Sequence, residues 1–174
     1  MQQKWFADVT AVANALDAFA PKGDVLELAC GTGLWTERLL PHATALTALD
    51  AVAEVLALNQ ERVKDNQVRY IQHDIFSWRP DRQYDVVYFS FWLSHVRPER
   101  FASFWDLVRR YLAPEDRAFF VDSLYEPATT ANNHTLLGKR SAIQGRKLND
   151  SRLFRIVKVY YEPEDLALQL AALG

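Results

Sequence analysis

Trp5, Val9, Val12, Leu16 and Phe19 recur at steps of four and three and predict one apolar face of a helix. Pro21-Lys-Gly-Asp24 ends it. Val25 to Ala29 is then a short apolar run, suited to a strand covered on both faces. A tight Gly31-Thr-Gly33 turn leads into helical spacing from Leu34 to Leu40, with Pro41 just beyond. Ala43 to Leu49 predicts a second strand ending in Asp50, and Val52 to Lys64 a helix rich in Ala, Leu and Glu. Val68 to Asp74 predicts a third strand, Ser77 to Gln83 a polar loop and Tyr84 to Phe91 a fourth strand, followed by a turn of large side chains from Trp92 to Arg97.

Pro98 suits the first turn of a helix whose apolar face carries Phe101, Phe104, Trp105, Val108, Tyr111 and Leu112. Ala118 to Asp122 predicts a fifth strand and Ser123 to Gly138 a loop. Ala142 to Leu148 and Leu153 to Tyr161 flank Asn149-Asp-Ser151 as the arms of a hairpin. Pro163 to Leu173 predicts a last helix, with Gly174 placed as its cap. Strands and helices alternate through most of the chain. The expected fold is therefore α/β, a Rossmann-like doubly wound and mostly parallel sheet with helices on both faces, forming a single domain over 1–174. Ligands of such sheets bind beyond the C-terminal strand ends, where Gly31, Gly33, Asp50, Asp74 and the Phe89 to His95 segment fall.

Composition narrows this only slightly. At 174 residues with 49% hydrophobic residues, one core of useful size can form. A net charge of −2 supplies no global attraction to nucleic acid or membranes. No apolar run reaches the roughly 18 residues of a membrane span. The N-terminus lacks a signal-peptide core, so a cytoplasmic protein is expected. Cys30 is the single cysteine, which excludes an internal disulfide, and no His/Cys cluster has metal-ligand spacing. Seven basic residues between Lys139 and Lys158 face one acid, Asp150; the expected arrangement is the solvated face of a hairpin, with an anion or RNA surface as the alternative.

Asp50 lies 17 residues after Gly33, at the end of the neighbouring strand, where a carboxylate can accept both hydroxyls of a ribose. Asp74, one strand further out, can take an adenine amine, with Ile75 and Val52 against the ring. An adenosine-bearing cofactor is therefore expected. A nicotinamide site wants a small residue where this chain has Thr36, with Trp35 beside it, and there is no GK[ST] of a P-loop. Glu27 sits inside the apolar first strand, where a charge is costly unless paired; a cationic ligand or a structural basic group would serve. Cys30 reads as a small residue fitting the turn.

Glu27-Leu-Ala-Cys-Gly-Thr-Gly33 closely resembles motif I of the class I S-adenosylmethionine-dependent methyltransferases. The resemblance continues in order with Asp50 as the ribose-binding acid, His73-Asp74-Ile75 as the adenine segment, and Tyr84 to His95 as the fourth-strand motif of bacterial small-molecule methyltransferases. It covers nearly all of the chain from Trp5. It implies S-adenosylmethionine as cofactor, a small-molecule acceptor, and displacement of a methyl group from a sulfonium by an O, N, S or C nucleophile. Cofactor contacts are implied at Glu27, Ala29, Cys30, Gly31, Thr32, Gly33, Asp50, Ala51, Val52, His73, Asp74, Ile75, Phe89, Ser90 and Phe91. His95 is the candidate base, should the acceptor need to lose a proton. Trp92 lines the pocket or packs, and Trp5 and Phe6 cover the site or pack their helix.

The family usually carries a seventh, antiparallel strand after the last helix, and this chain stops at Gly174. Either it is a piece of a longer chain, or the fold dispenses with that strand, or a partner supplies one. Exposed strand edges would favour a homodimer. Rival readings are a non-catalytic cofactor-binding or assembly module, a nicotinamide-dependent oxidoreductase, and an RNA methyltransferase, the last disfavoured by the near-neutral charge.

Overall fold

Val25 to Leu28 is buried along its whole length, as a strand needs to be when helices cover both faces of its sheet. The computed structural model describes residues 2–125, 134–135, 138, 141–148 and 150–173. Their contacts divide the chain into two compact units, Met1–Ser90 with Trp105–Val121, and Phe91–Phe104 with Asp122–Gly174.

The first unit holds α1 (Gln2–Phe19), β1 (Asp24–Leu28), α2 (Leu34–Leu39), β2 (Ala45–Asp50), α3 (Ala53–Val63), β3 (Val68–Gln72), β4 (Tyr84–Ser90) and β5 (Leu112–Val121). Five parallel strands run in the order β3-β2-β1-β4-β5, so the strand order reverses between β1 and β4. Period-two alternation decides the packing. Val25, Leu46, Ala48, Val86 and Tyr88 form one cluster with Ala13 and Leu16 of α1 and with Trp35 and Leu39 of α2. On the other face, Phe89 stacks on Phe120 at 5.1 Å between centroids, and Trp105 packs edge-on to both rings. Trp105 comes from α4 (Phe101–Tyr111), an amphipathic helix. Helices thus cover both faces, as expected.

The expected elements are present with shifted ends. β3 stops at Gln72, so His73 and Asp74 lie in the turn beyond it. β5 begins at Leu112 rather than Ala118, with a register irregularity opposite Tyr84 to Val86. Pro98 opens a single 3-10 turn, Pro98–Arg100, before α4 begins.

In the second unit, β6 (His134–Thr135), β7 (Ile143–Lys147) and β8 (Leu153–Val157) form an antiparallel sheet, followed by α5 (Pro163–Ala171). The expected hairpin is β7–β8. Most of the expected Ser123 to Gly138 loop, and the Gly174 cap, lie outside the described residues. No helix among the described residues is long and apolar enough to cross a membrane.

Candidate functional site

The chain leaves β1 through Ala29 at φ +51°, Gly31 at +57° and Gly33 at +91°. A left-handed Ala is uncommon and strained, so the surroundings must hold this turn. They do so from three sides. Cys30 N–H donates to the Leu49 carbonyl of β2, and Gly31 N–H donates to Asp50 Oδ2 at 3.1 Å. Arg62 Nε, from α3, donates to the Thr32 carbonyl at 2.9 Å. A Cβ on Gly31 would meet nothing within 4 Å, so this face of the turn opens on free space. A Cβ on Gly33 would strike the Asn59 side chain.

Asp50 ends β2 beside this turn. Its Oδ1 accepts the Val52 N–H at 3.1 Å, so each carboxylate oxygen holds one backbone N–H and keeps lone pairs for a ligand. Asp50 thus orders the approach to α3 and braces the glycine turn. Asp50 C=O also accepts the His73 N–H at 3.0 Å, joining the ends of β2 and β3. Ala51 C=O takes the Gln72 side chain, and the exposed Val52 follows. Beyond β3, Asp74 Oδ1 accepts from Phe76 N–H and Ser77 N–H, which shapes a turn. Ile75 is buried by the protein itself, and its carbonyl takes the Tyr111 hydroxyl.

Leu28 pairs with Phe89 across β1 and β4, which brings Phe89 and Ser90 to the same sheet end. The Phe89 ring is wholly in the core, so a ligand at this strand end would meet its backbone. The first unit thus gathers every expected cofactor residue except Phe91, which opens the second unit at φ +53°.

Among the described residues Glu27 has no basic partner. It is 1% exposed, and its Oε2 accepts the Thr36 hydroxyl at 2.6 Å. Thr36, which argued against a dinucleotide turn, is thus a working part of this one. Desolvation and then the nearby Asp50 charge push the Glu27 carboxyl up to about 8, against the Thr36 hydrogen bond. Burial, followed by the Glu27 and Asp50 carboxylates, pushes the Cys30 thiol well above its ordinary range, which disfavours the thiolate.

Asn59 was not anticipated. It is fully buried and ties the turn to Thr36 and Tyr70. A signal was present: Leu56, Asn59 and Val63 follow helical spacing, so Asn59 is a polar residue on an apolar stripe.

In the second unit, His95 Nδ1 lies 2.7 Å from the Val157 carbonyl. A carbonyl only accepts, so Nδ1 carries the hydrogen and Nε2 is the basic nitrogen. The residue is exposed overall, yet partial desolvation and then the Lys158 ammonium hold its pKa below the usual histidine value. Lys158 does not lie on a solvated hairpin face. Its ammonium is buried, donating to Ser94 Oγ at 2.8 Å and pairing with Asp122 at 3.3 Å. Arg146, Lys147, Arg152 and Arg155 are exposed, as expected of that face. The Trp92 indole N–H is buried without an acceptor among the described residues. No group of three or more His, Cys, Asp or Glu among the described residues could hold a metal ion.

The site therefore combines an open glycine turn, a strand-end carboxylate braced on it and a buried carboxyl with no cation beside it among the described residues, features that fit a cationic adenosine cofactor. Comparison with known proteins agrees. A methyltransferase-domain family model matches residues 25–115. Nodulation protein S of Azorhizobium caulinodans is 34% identical over 65 residues, 37% of this chain and 31% of that protein. An uncharacterised methyltransferase of Mycobacterium tuberculosis is 34% identical over 105 residues, 59% of this chain and 53% of that protein. The matches thus span 31% and 53% of the length of these two curated relatives. The solved DhpI–SAH complex superposes with a TM-score of 0.81 at 41% identity, covering 97% of this chain and 76% of that one. This chain belongs to the S-adenosylmethionine-dependent methyltransferases of the class I, Rossmann-like fold.

Proposed function

We propose that this chain, as one domain, transfers a methyl group from S-adenosylmethionine to an O, N, S or C nucleophile of a small molecule. The observation that carries this reading is the brace between Asp50 and Gly31, which sets a ribose-binding carboxylate beside a turn whose glycine face is open. The likeness to DhpI, also solved as a DhpI–SAM–HEP complex at 40% identity, supports a cofactor and a second ligand held together.

When bound, the cofactor supplies a methyl group already activated on a sulfonium. The residues of this chain then bind, orient and exclude water. Asp50 accepts the ribose hydroxyls. Asp74, with its turn already ordered, takes the adenine amine beside His73 and Ile75, and Val52 covers the ring. The backbone from Ala29 to Gly33 and of Phe89 and Ser90 would hold the methionine portion, and Glu27 would balance its positive charge. For an acceptor that must lose a proton, His95 Nε2 is the base, and Nδ1 is held by Val157.

Calorimetry with S-adenosylmethionine and its demethylated product tests the cofactor site; absence of binding by folded protein would sink the reading. Methyl transfer from labelled cofactor across a panel of small amines, hydroxyls, thiols and acids tests the chemistry. Tight binding without transfer to any acceptor would favour a non-catalytic cofactor-binding module.

A further inference from the structure

Three of the buried polar side chains, Glu27, Thr36 and Asn59, form one chain of hydrogen bonds behind the glycine turn. Its direction follows from a single atom. Asn59 Nδ2 lies 3.1 Å from the Gly31 carbonyl, which can only accept, so the amide nitrogen must face it. The second amide hydrogen goes to Thr36 Oγ1 at 2.8 Å. Asn59 Oδ1 is then left to accept from the Tyr70 hydroxyl at 3.0 Å. Thr36 in turn gives its hydroxyl hydrogen to Glu27 Oε2 at 2.6 Å. The donors then all point from Tyr70 toward Glu27, and with Oε2 accepting from Thr36 a proton on Glu27 sits on Oε1.

The groups that face Glu27 include no cation among the described residues. They are Thr36 of α2, Cys30 of the turn, Asp50 at the end of β2, Tyr70 of β3 and Tyr88 of β4. A carboxylate there would be buried beside a second carboxylate with only one hydroxyl to support it.

We propose that Tyr70, Asn59 and Thr36 are a positioning relay that orients Glu27 by donating to Oε2, that burial beside Asp50 keeps Glu27 neutral with its proton on Oε1, and that binding of the cationic cofactor at the turn displaces that proton to solvent. This rests on the reading of the turn as an S-adenosylmethionine site. The exchange balances: neutral Glu27 and a cationic cofactor give a carboxylate–cation pair and one released proton. The elevated ionisation of Glu27 in the cofactor-free protein supports it.

Calorimetry of S-adenosylmethionine binding at pH 7, in buffers of different ionisation enthalpy, counts the protons released. Close to one is expected, with the dissociation constant falling up to about tenfold per pH unit below pH 8 and levelling above it. Glu27→Gln should abolish the protein's share of this dependence and so isolate that of the cofactor. Thr36→Val removes the hydroxyl while keeping the shape, and should move the midpoint upward. Asn59→Ala leaves Thr36 free to turn and should also move it, whereas a merely structural Asn59 would lower the melting temperature and leave the midpoint in place. If Asn59→Ala does not fold, Thr36→Val alone decides. An unchanged midpoint in Thr36→Val overturns the relay, and tight binding without proton release overturns the proposal. No binding at all by folded protein removes the cofactor-site reading itself.

Discussion

Asp50 shows why a single carboxylate can matter twice. It fastens two backbone N–H groups, of Gly31 and Val52, and presents its remaining lone pairs beyond the strand end. Asp50→Ala should weaken S-adenosylmethionine binding by about tenfold or more by calorimetry, because both the ligand contact and the brace disappear. Glu27 has the opposite character. Its folded ionisation at about 8 lies above the unfolded value of 4.5. The folded cofactor-free protein therefore binds more protons between those values, and its stability is lost as pH rises through them. Thermal melts without cofactor should fall from pH 5 to pH 8, and Glu27→Gln should flatten that trend. His95 is depressed, so here the folded state binds fewer protons and stability is lost as pH falls below about 6.5. The same depression keeps Nε2 unprotonated at neutral pH. With an acceptor that must lose a proton, His95→Gln should lower kcat by roughly 10²-fold or more with KM little changed. Equal turnover would leave His95 as a pocket wall.

At the level of elements, the site depends on how β1 is held at both ends. At its start, Gly23 has φ +85° and the space for a Cβ is filled by the Asp85 carboxyl, which accepts the Asp24 N–H at 2.7 Å. Gly23→Ala should therefore cost more than the ~1 kcal/mol of an ordinary glycine substitution, read as a lower urea midpoint. Helix α1 supports the same sheet through Leu16, which is fully buried among Val25, Leu39 and their neighbours. Leu16→Ala should cost about 2–5 kcal/mol in chemical unfolding, with cofactor affinity of the folded fraction retained. The periodic spacing of α1 was legible in the residues, because an amphipathic helix writes its buried face at every third and fourth position. The start of β5 was not: Leu112 pairs with Tyr84 and Arg117 with Val86, while the Pro, Glu and Asp between them fall in the register irregularity, so the local residues hide the strand's first pairing.

On the scale of the molecule, the two units are stabilised by different means. The first has a large apolar core on both faces of a parallel sheet. The second relies on a small antiparallel sheet and a buried ion pair, with Lys158 and Asp122 side chains only 9% and 12% exposed. Breaking such a pair leaves an uncompensated buried charge. Lys158→Ala should destabilise the second unit by about 3–5 kcal/mol, seen as earlier proteolysis of 122–174. The double variant Lys158→Met with Asp122→Leu should recover much of the loss.

The sequence by itself determined the alternation of strands and helices, the glycine turn, and the spacing that carries Asp50 and Asp74 to strand ends. These follow from local periodicity and from residue types whose chemistry is restrictive, such as glycine and a strand-end acid. Only the tertiary structure decided which polar groups meet. It gave Glu27 a threonine rather than a cation, made Asn59 the hub behind the turn, and took Lys158 from an expected solvated face into a buried pair with Asp122. Hydrogen bonds and ion pairs between residues far apart in the chain depend on strand order and helix packing, and no local pattern encodes those distances.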